Sequence, residues 1–342
     1  MVAAALYIGN KIDMSGLEDF IFMNRDYHDL PFGITCIDTN YTRPNMAAAY
    51  LLVENGRGAF IETGPLLAVP RLLAGVARAG LTPEDVDAII VTHVHLDHAG
   101  GAGELMRLCP AATLYVHASG SKHLIDPSRL KASAMAVYGE EKFKNTLGDI
   151  IPVEKMRVAT PIDGEKISIG GRDLTVIETP GHARNHICIW DQVSRGLFTG
   201  DAFGVSYREF DGGAMPFIFP PTTPTQLDPE TFHKSLDRLA ELKPAILYLT
   251  HFNAIPYQPE LLQTLHTQLD QYVDMAKKVR KNGKNNHQQL ISSLKEHMLE
   301  SLKMLGSPIK AELIEPLLAP DREINAQGLS WWLQRLEKNQ EK

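Results

Sequence analysis

Four metal-capable side chains crowd into six residues of this chain. His93, His95, Asp97 and His98 lie in the run Val91-Thr92-His93-Val94-His95-Leu96-Asp97-His98-Ala99-Gly100-Gly101. An apolar segment, read as a buried strand over residues 88–92, leads straight into them. His93 and His95 are two apart, so at a strand end they leave on the same side. Asp97 and His98 follow in a turn where the chain can fold back. Imidazole and carboxylate are ligands that first-row metals accept. Bringing four of them together on one turn is costly unless something binds them.

Three further pieces stand in matching contexts. Thr179-Pro180-Gly181-His182 follows a strand ending at Glu178, Thr199-Gly200-Asp201 follows one at Leu197, and Thr250-His251 follows one at Ile246. Each puts a metal-capable side chain just past an apolar strand, and loops at strand ends on a rigid sheet are where sites are built. Taken singly, His182 or His251 reads as a structural histidine, Asp201 as a turn residue and Asp97 as a helix cap. Those readings do not explain the shared placement. Five histidines and two aspartates suit two metals rather than one.

The rest of the chain supplies the framework. Residues 47–53 and 59–62 read as strands around Glu54-Asn55-Gly56, a hairpin signal. Residues 70–79 read as a helix, 82–85 as the capped start of a short one, 103–108 as a helix and 113–117 as a strand. Residues 166–178 form a hairpin around Gly170-Gly171. Locally paired strands that are also followed by helices predict two sheets with helices outside. Residues 203–229, broken by Gly212-Gly213, Pro216, Pro220-Pro221 and Pro224, form a long loop. Its apolar stretch Met215-Pro216-Phe217-Ile218-Phe219 favours a packed lid or pocket wall. From residue 259 the pattern turns helical, over 260–281, 288–305 and 330–338. The division expected is a catalytic domain at 1–256 and a helical extension at 257–342.

Composition narrows the class. Of 342 residues 44% are hydrophobic and 22% charged, with a net charge of −7, so the chain is globular and not a general nucleic-acid binder. Residues 259–342 carry 12 Lys and Arg against 11 Asp and Glu. Within them the basic run 277–284 reads as a solvated helix end, where cations suit the dipole. Cys36, Cys109 and Cys188 are widely spaced and odd in number, which argues against a disulfide framework and fits a reducing compartment. Residues 1–13 show no basic leader followed by an apolar stretch. The longest apolar run, 46–53, is far short of the roughly 20 residues of a membrane span. A cytoplasmic protein without membrane attachment is the expectation.

The pattern His93-x-His95-x-Asp97-His98, then His182, Asp201 and His251 in that order, resembles the metallo-β-lactamase superfamily of hydrolases. Ile61-Glu62-Thr63-Gly64 looks like that family's early Asp-Thr-Gly turn, with Glu in place of Asp. The resemblance covers about residues 30–252. It implies an α/β fold, a four-layer αβ/βα sandwich, here with a helical C-terminal extension, and a dinuclear centre between two sheets. By the family pattern His93, His95 and His182 hold one metal, Asp97, His98 and His251 hold the second, and Asp201 bridges both. Zinc is the default, and iron or manganese fit the same nitrogen and oxygen donors. His186 looks like a partner that orients ligands. Tyr207 reads mainly as packing, with donation to an oxyanion as the sharper alternative.

Two divalent ions, two carboxylates and a bridging hydroxide leave a net positive centre that favours an anionic transition state. The implied reaction is hydrolysis of a small ester, thioester or lactone, with Asp97 as proton shuttle. Among relatives, an exported β-lactamase is disfavoured by the leader-free start, a flavodiiron enzyme by His95 where Glu is expected, and a tRNA nuclease by the acidic balance. Glyoxalase II-like thioesterases and the group of the bacterial quinolone-signal response protein, whose tail helices partly roof the site, stand nearest. The alternatives are a regulatory or partner-binding metalloprotein with little turnover, or a mononuclear iron sulfur dioxygenase. Paired terminal helices also allow a homodimer.

Overall fold

The computed structural model of the chain describes residues 26–212, 215–281 and 287–340. The N-terminal stretch read as leader-free, Gly213 of the long loop, and Asn282, Gly283 and Lys284 of the basic run lie outside the described residues.

Thirteen strands build two sheets among these residues. The first sheet contains β1 (Tyr27–Leu30), β2 (Ile34–Asp38), β3 (Ala48–Glu54), β4 (Arg57–Ile61), β5 (Val86–Ile90), β6 (Thr113–Tyr115) and β7 (Val158–Ala159), in sequence order across the sheet. β1 to β4 are antiparallel and β4 to β7 run parallel. Around it lie α1 (Val69–Arg78), α2 (Leu96–Ala99), α3 (Ala102–Leu108), α4 (Ala118–Ile125), α5 (Ser128–Tyr138) and α6 (Glu140–Thr146). The second sheet contains β8 (Lys166–Ile169), β9 (Arg172–Glu178), β10 (Ile187–Asp191), β11 (Gly196–Gly200), β12 (Ile246–Leu249) and β13 (Asn253–Pro256). All its pairings are antiparallel except β11 with β12. It is followed outward by α7 (Pro229–Glu241) and the tail helices α8 (Pro259–Lys281), α9 (His287–Met304) and α10 (Ala311–Gln340).

Strand alternation sorts the core into layers. Ala48, Tyr50 and Leu52 of β3 face Ile187 and Ile189 of β10 and Phe198 of β11 in a cluster shared by the two sheets. Their neighbours Ala49 and Leu51 point the other way, onto α1 and α3. Cys188, Trp190 and Leu197 turn outward onto α7, the long loop and the tail helices. The result is the four-layer αβ/βα sandwich. Both faces of both sheets are covered, which explains why β10 (Ile-Cys-Ile-Trp-Asp) is buried throughout and shows no polar face in sequence. The three cysteines are free and buried within these layers.

The long loop is packed rather than splayed. Val205 and Phe219 form a bridge, and Phe203, Tyr207, Phe210, Phe217 and Ile218 are buried. Gln268 of α8 donates to the Ile218 carbonyl at 2.9 Å. The loop is therefore packed, as expected, and the tail helix α8 is bonded to it. The third tail helix is much longer than the expected 330–338, because it runs through Pro316 and Pro320. These prolines are four apart, so the N–H missing at Pro320 is the one that would reach the Pro316 carbonyl, and the interruptions fall along one line of the helix. Helices α4 to α6 gave no clear sequence signal. Ala134 of α5, Phe143 of α6 and Leu147 and Ile150 just after it form a small cluster around Leu96.

At the far ends of β9 and β10 from His182, Arg172 and Asp191 form a buried ion pair with side chains 2% and 0% exposed. Arg172 Nε donates to Asp191 Oδ1 at 3.0 Å, and Nη1 donates to the Phe32 carbonyl at 2.6 Å. Asp191 also accepts the Ser194 amide at 3.1 Å. Removing one member leaves the other charge buried and unpaired, so Arg172→Met is expected to lower stability by about 3–5 kcal/mol. Urea unfolding measures this, and an unchanged midpoint contradicts it.

Candidate metal centre

β5 ends at Ile90, and the backbone then runs irregularly through His93 and His95 into the single turn of α2, which carries Asp97 and His98. The two histidines therefore leave a loop rather than a strand end, yet both reach the same spot. β9 delivers His182 through a short turn, β11 ends on Gly200 beside Asp201, and β12 ends just before His251. The sheets are tied together here: the Ile187 amide donates to the Thr92 carbonyl, and the Ala48 amide to the Thr250 carbonyl, both at 2.8 Å.

The structure brings all seven expected residues together. His93 Nε2 lies 2.7 Å from His95 Nδ1, which lies 3.3 Å from His182 Nε2. Asp201 Oδ2 is 3.3 Å from His182 Nε2 and 4.0 Å from His93 Nε2. Its other oxygen, Oδ1, is 3.4 Å from His98 Nε2 and 3.6 Å from His251 Nε2. Asp97 Oδ2 is 3.4 Å from His251 Nε2 and 3.8 Å from His98 Nε2. His93, His98 and His182 are fully buried, while His95 and Asp97 are half-buried and mark the open side.

Four of the five rings are aimed from behind. His182 Nδ1–H donates to the Pro221 carbonyl and His251 Nδ1–H to the Met46 carbonyl, both at 2.9 Å. His98 Nδ1–H donates to Glu62 Oε1 at 2.9 Å. Thr92 gives its hydroxyl hydrogen to Glu62, so its oxygen accepts His93 Nδ1–H at 3.1 Å. These bonds fix four tautomers and leave the Nε2 lone pairs facing inward, the arrangement that metal-binding histidines use. Glu62 also accepts the Thr92 amide at 3.2 Å and the Thr250 hydroxyl at 3.3 Å. The Glu that stands where Asp was expected is thus a fully bonded hub.

His186 is reversed. Its Nε2 accepts the Asp201 amide at 3.1 Å and its Nδ1–H donates to Thr179 Oγ1 at 2.8 Å. It orients the Asp201 backbone, as expected of it. Gly200 makes room with φ +49°, since a Cβ there would lie 2.6 Å from His186 Nε2. Tyr207 is buried, and its hydroxyl donates to Asp321 Oδ1 of α10 at 3.0 Å, so packing and that bond account for it.

Burial lowers the His93 and His95 pKa values, His95 to about 4, and their neighbouring imidazoles lower them further. Burial and nearby imidazoles also lower His186, and burial lowers His182 against the pull of Asp201. Burial pushes the Asp201 and Asp97 carboxyls up, but His98 outweighs it, with His182 and His251 adding at Asp201 and His251 at Asp97. Both acids stay ionised. Neutral His93, His95 and His182 beside ionised carboxylates are protonation states that divalent metals require. Asp201, with Glu62 at His98 and Asp97 at both, instead raises His98 and His251 against burial, so these two would give up a proton to a metal. His98 Nε2 and Asp201 Oδ1 are buried and lack hydrogen-bond partners, an expense that an ion between them removes. The donor set fits divalent metal ions.

Sequence reading missed the acceptors behind the rings. The carbonyls of Met46 and Pro221 carry no residue-type signal, and the Thr92 and Thr250 hydroxyls look like ordinary strand-end threonines. Because Glu62 serves both His98 and Thr92, Glu62→Gln is expected to weaken divalent-metal affinity about 10–100-fold with all seven inner residues intact. Competition with a chelator reads this directly, and wild-type affinity in the variant contradicts the hub.

Comparison with known proteins agrees with this geometry. Residues 42–251 match the family model described as the metallo-beta-lactamase superfamily. A metallo-beta-lactamase fold-containing protein of Sulfurisphaera tokodaii is 32% identical over 49% of this chain and 61% of its own length. A hydroxyacylglutathione hydrolase of Bdellovibrio bacteriovorus is 29% identical over 49% of each. The matches thus span about half to three fifths of these relatives. A metallo-beta-lactamase family protein from Thermus thermophilus shares the fold at a TM-score of 0.64 and 23% identity, over 91% of this chain and 95% of that one. With the sandwich, the cluster of histidines and aspartates and the family match in place, the chain belongs to the metallo-beta-lactamase superfamily.

Proposed function

We propose that the protein is a dinuclear metal-dependent hydrolase of small thioesters, with esters and lactones as chemically related substrates. His93, His95 and His182 form one ligand set, Asp97, His98 and His251 the other, and Asp201 bridges them. The observation that carries this reading is the division of Asp201: Oδ2 faces His182 and His93, and Oδ1 faces His98 and His251. Two divalent ions, zinc by default, would supply Lewis acidity toward the scissile carbonyl and a nucleophile usable at neutral pH.

The chain's own residues do the rest. Asp97 is ionised, half-buried and on the open side, so its carboxylate can take the proton released as a water molecule attacks. It can then return that proton to the departing group. Tyr207 is occupied by Asp321 and gives a leaving alkoxide no help. A thiolate, with a pKa near 8.5 in its free form, needs little help. That asymmetry favours thioesters, and the hydroxyacylglutathione hydrolase among the relatives points the same way.

The test is proton release at pH 7–8 from an S-acyl glutathione thioester, a lactone, an aryl ester and a phosphodiester. Wild type and Asp201→Ala are compared after loading with known metal. Thioester hydrolysis is expected in the wild type, lost by about 10²–10³-fold or more in the variant. Absence of metal-dependent turnover on every carbonyl substrate overturns the proposal.

A further inference from the structure

The tail helix α10 turns one stripe toward the centre: Asp321, Asn325 and Gly328, spaced i, i+4 and i+7. Asn325 is 2% exposed. Its Oδ1 accepts the Thr222 amide at 2.7 Å, and the Thr222 hydroxyl donates to the Asn325 carbonyl at 3.1 Å. Gly328 permits this approach, because a Cβ there would meet the Thr222 carbonyl oxygen at 2.1 Å. The residue before Thr222 is Pro221, whose carbonyl accepts His182 Nδ1–H.

The loop cannot secure that carbonyl by itself. Pro220 and Pro221 have no N–H, so Thr222 supplies the first amide hydrogen after them, and Asn325 takes it. Asn325 Nδ2 has no partner although it is buried. The carboxamide is thus kept at the cost of an unsatisfied donor, which singles out Oδ1 as the atom the site uses.

We propose that Asn325 is a positioning residue of the metal centre. By fixing Thr222 it holds the Pro221 carbonyl that aims the His182 ring, which makes the helical extension part of the site rather than an appended unit. The proposal rests on the reading of His182 as a metal ligand. A simpler role for Asn325, stapling a helix to a loop, would affect stability alone.

The experiment uses the full-length chain titrated with cobalt(II), following its visible spectrum and competing the metal away with a chelator. The melting temperature of each metal-free variant is recorded alongside. Asn325→Ala is expected to weaken one metal equivalent about tenfold or more and to change its cobalt spectrum, leaving the other equivalent near wild type. Asn325→Asp, which keeps the acceptor, is expected to recover most of that affinity. A folded Asn325→Ala with wild-type affinity and spectrum overturns the proposal, whatever its melting temperature. Should Asn325→Ala not fold, Asn325→Leu, which keeps the side-chain volume and removes the acceptor of the Thr222 amide, decides the matter: about a threefold or greater loss supports the proposal, and unchanged affinity overturns it. A wild-type chain that takes up no cobalt would instead defeat the reading of the centre itself.

Discussion

Asp201 sits behind a strand end with one carboxylate oxygen turned to each of two groups of imidazoles. A buried carboxylate is expensive unless it is paired, and His98, His182 and His251 are what hold this one ionised. Much of the surrounding structure follows from that constraint. Burial pushes His93, His95, His182 and His186 toward their neutral forms, against the pull of Asp201 on the last three, which keeps their lone pairs available. His98 goes the other way: burial disfavours its charge, but Asp201, Glu62 and Asp97 outweigh burial and raise its pKa well above the ordinary value. Divalent cations would take over the compensation that His98 supplies first, with His182 and His251 adding to it.

The sandwich is what allows so many polar groups to be gathered without unfolding the edge. Its two sheets are joined by hydrogen bonds from the Ile187 and Ala48 amides to the Thr92 and Thr250 carbonyls, next to the residues they position. Glu62, at the end of β4, answers to three other segments at once: His98, Thr92 and Thr250. The outer layers contribute as well. The Met46 carbonyl aims His251 from the first sheet's side, and the Pro221 carbonyl aims His182 from the long loop that the tail helices hold.

The ligand pattern was legible because metal ligands carry residue identity, and because their strand-end placement repeats at His182, Asp201 and His251. The layers followed from the local pairings of residues 47–62 and 166–178. What stayed hidden was hidden for physical reasons. β10 is buried on both faces and only five residues long, so it has no alternation to read. α10 looked shorter because Pro316 and Pro320 break a helix in sequence but lie along one line of it in space. The acceptors behind the rings are backbone carbonyls, which every residue has. The link from Asn325 to Thr222 spans 103 residues and leaves no local trace.

The central claim is that one carboxylate serves two metal ions. The direct measurement is the number of divalent ions bound per chain at saturation, by elemental analysis of the equilibrated protein. The account predicts two in the wild type and a loss of tight binding of both in Asp201→Ala, since each ligand set includes one of its oxygens. A single ion in the wild type, or two retained with unchanged affinity in the variant, would contradict it.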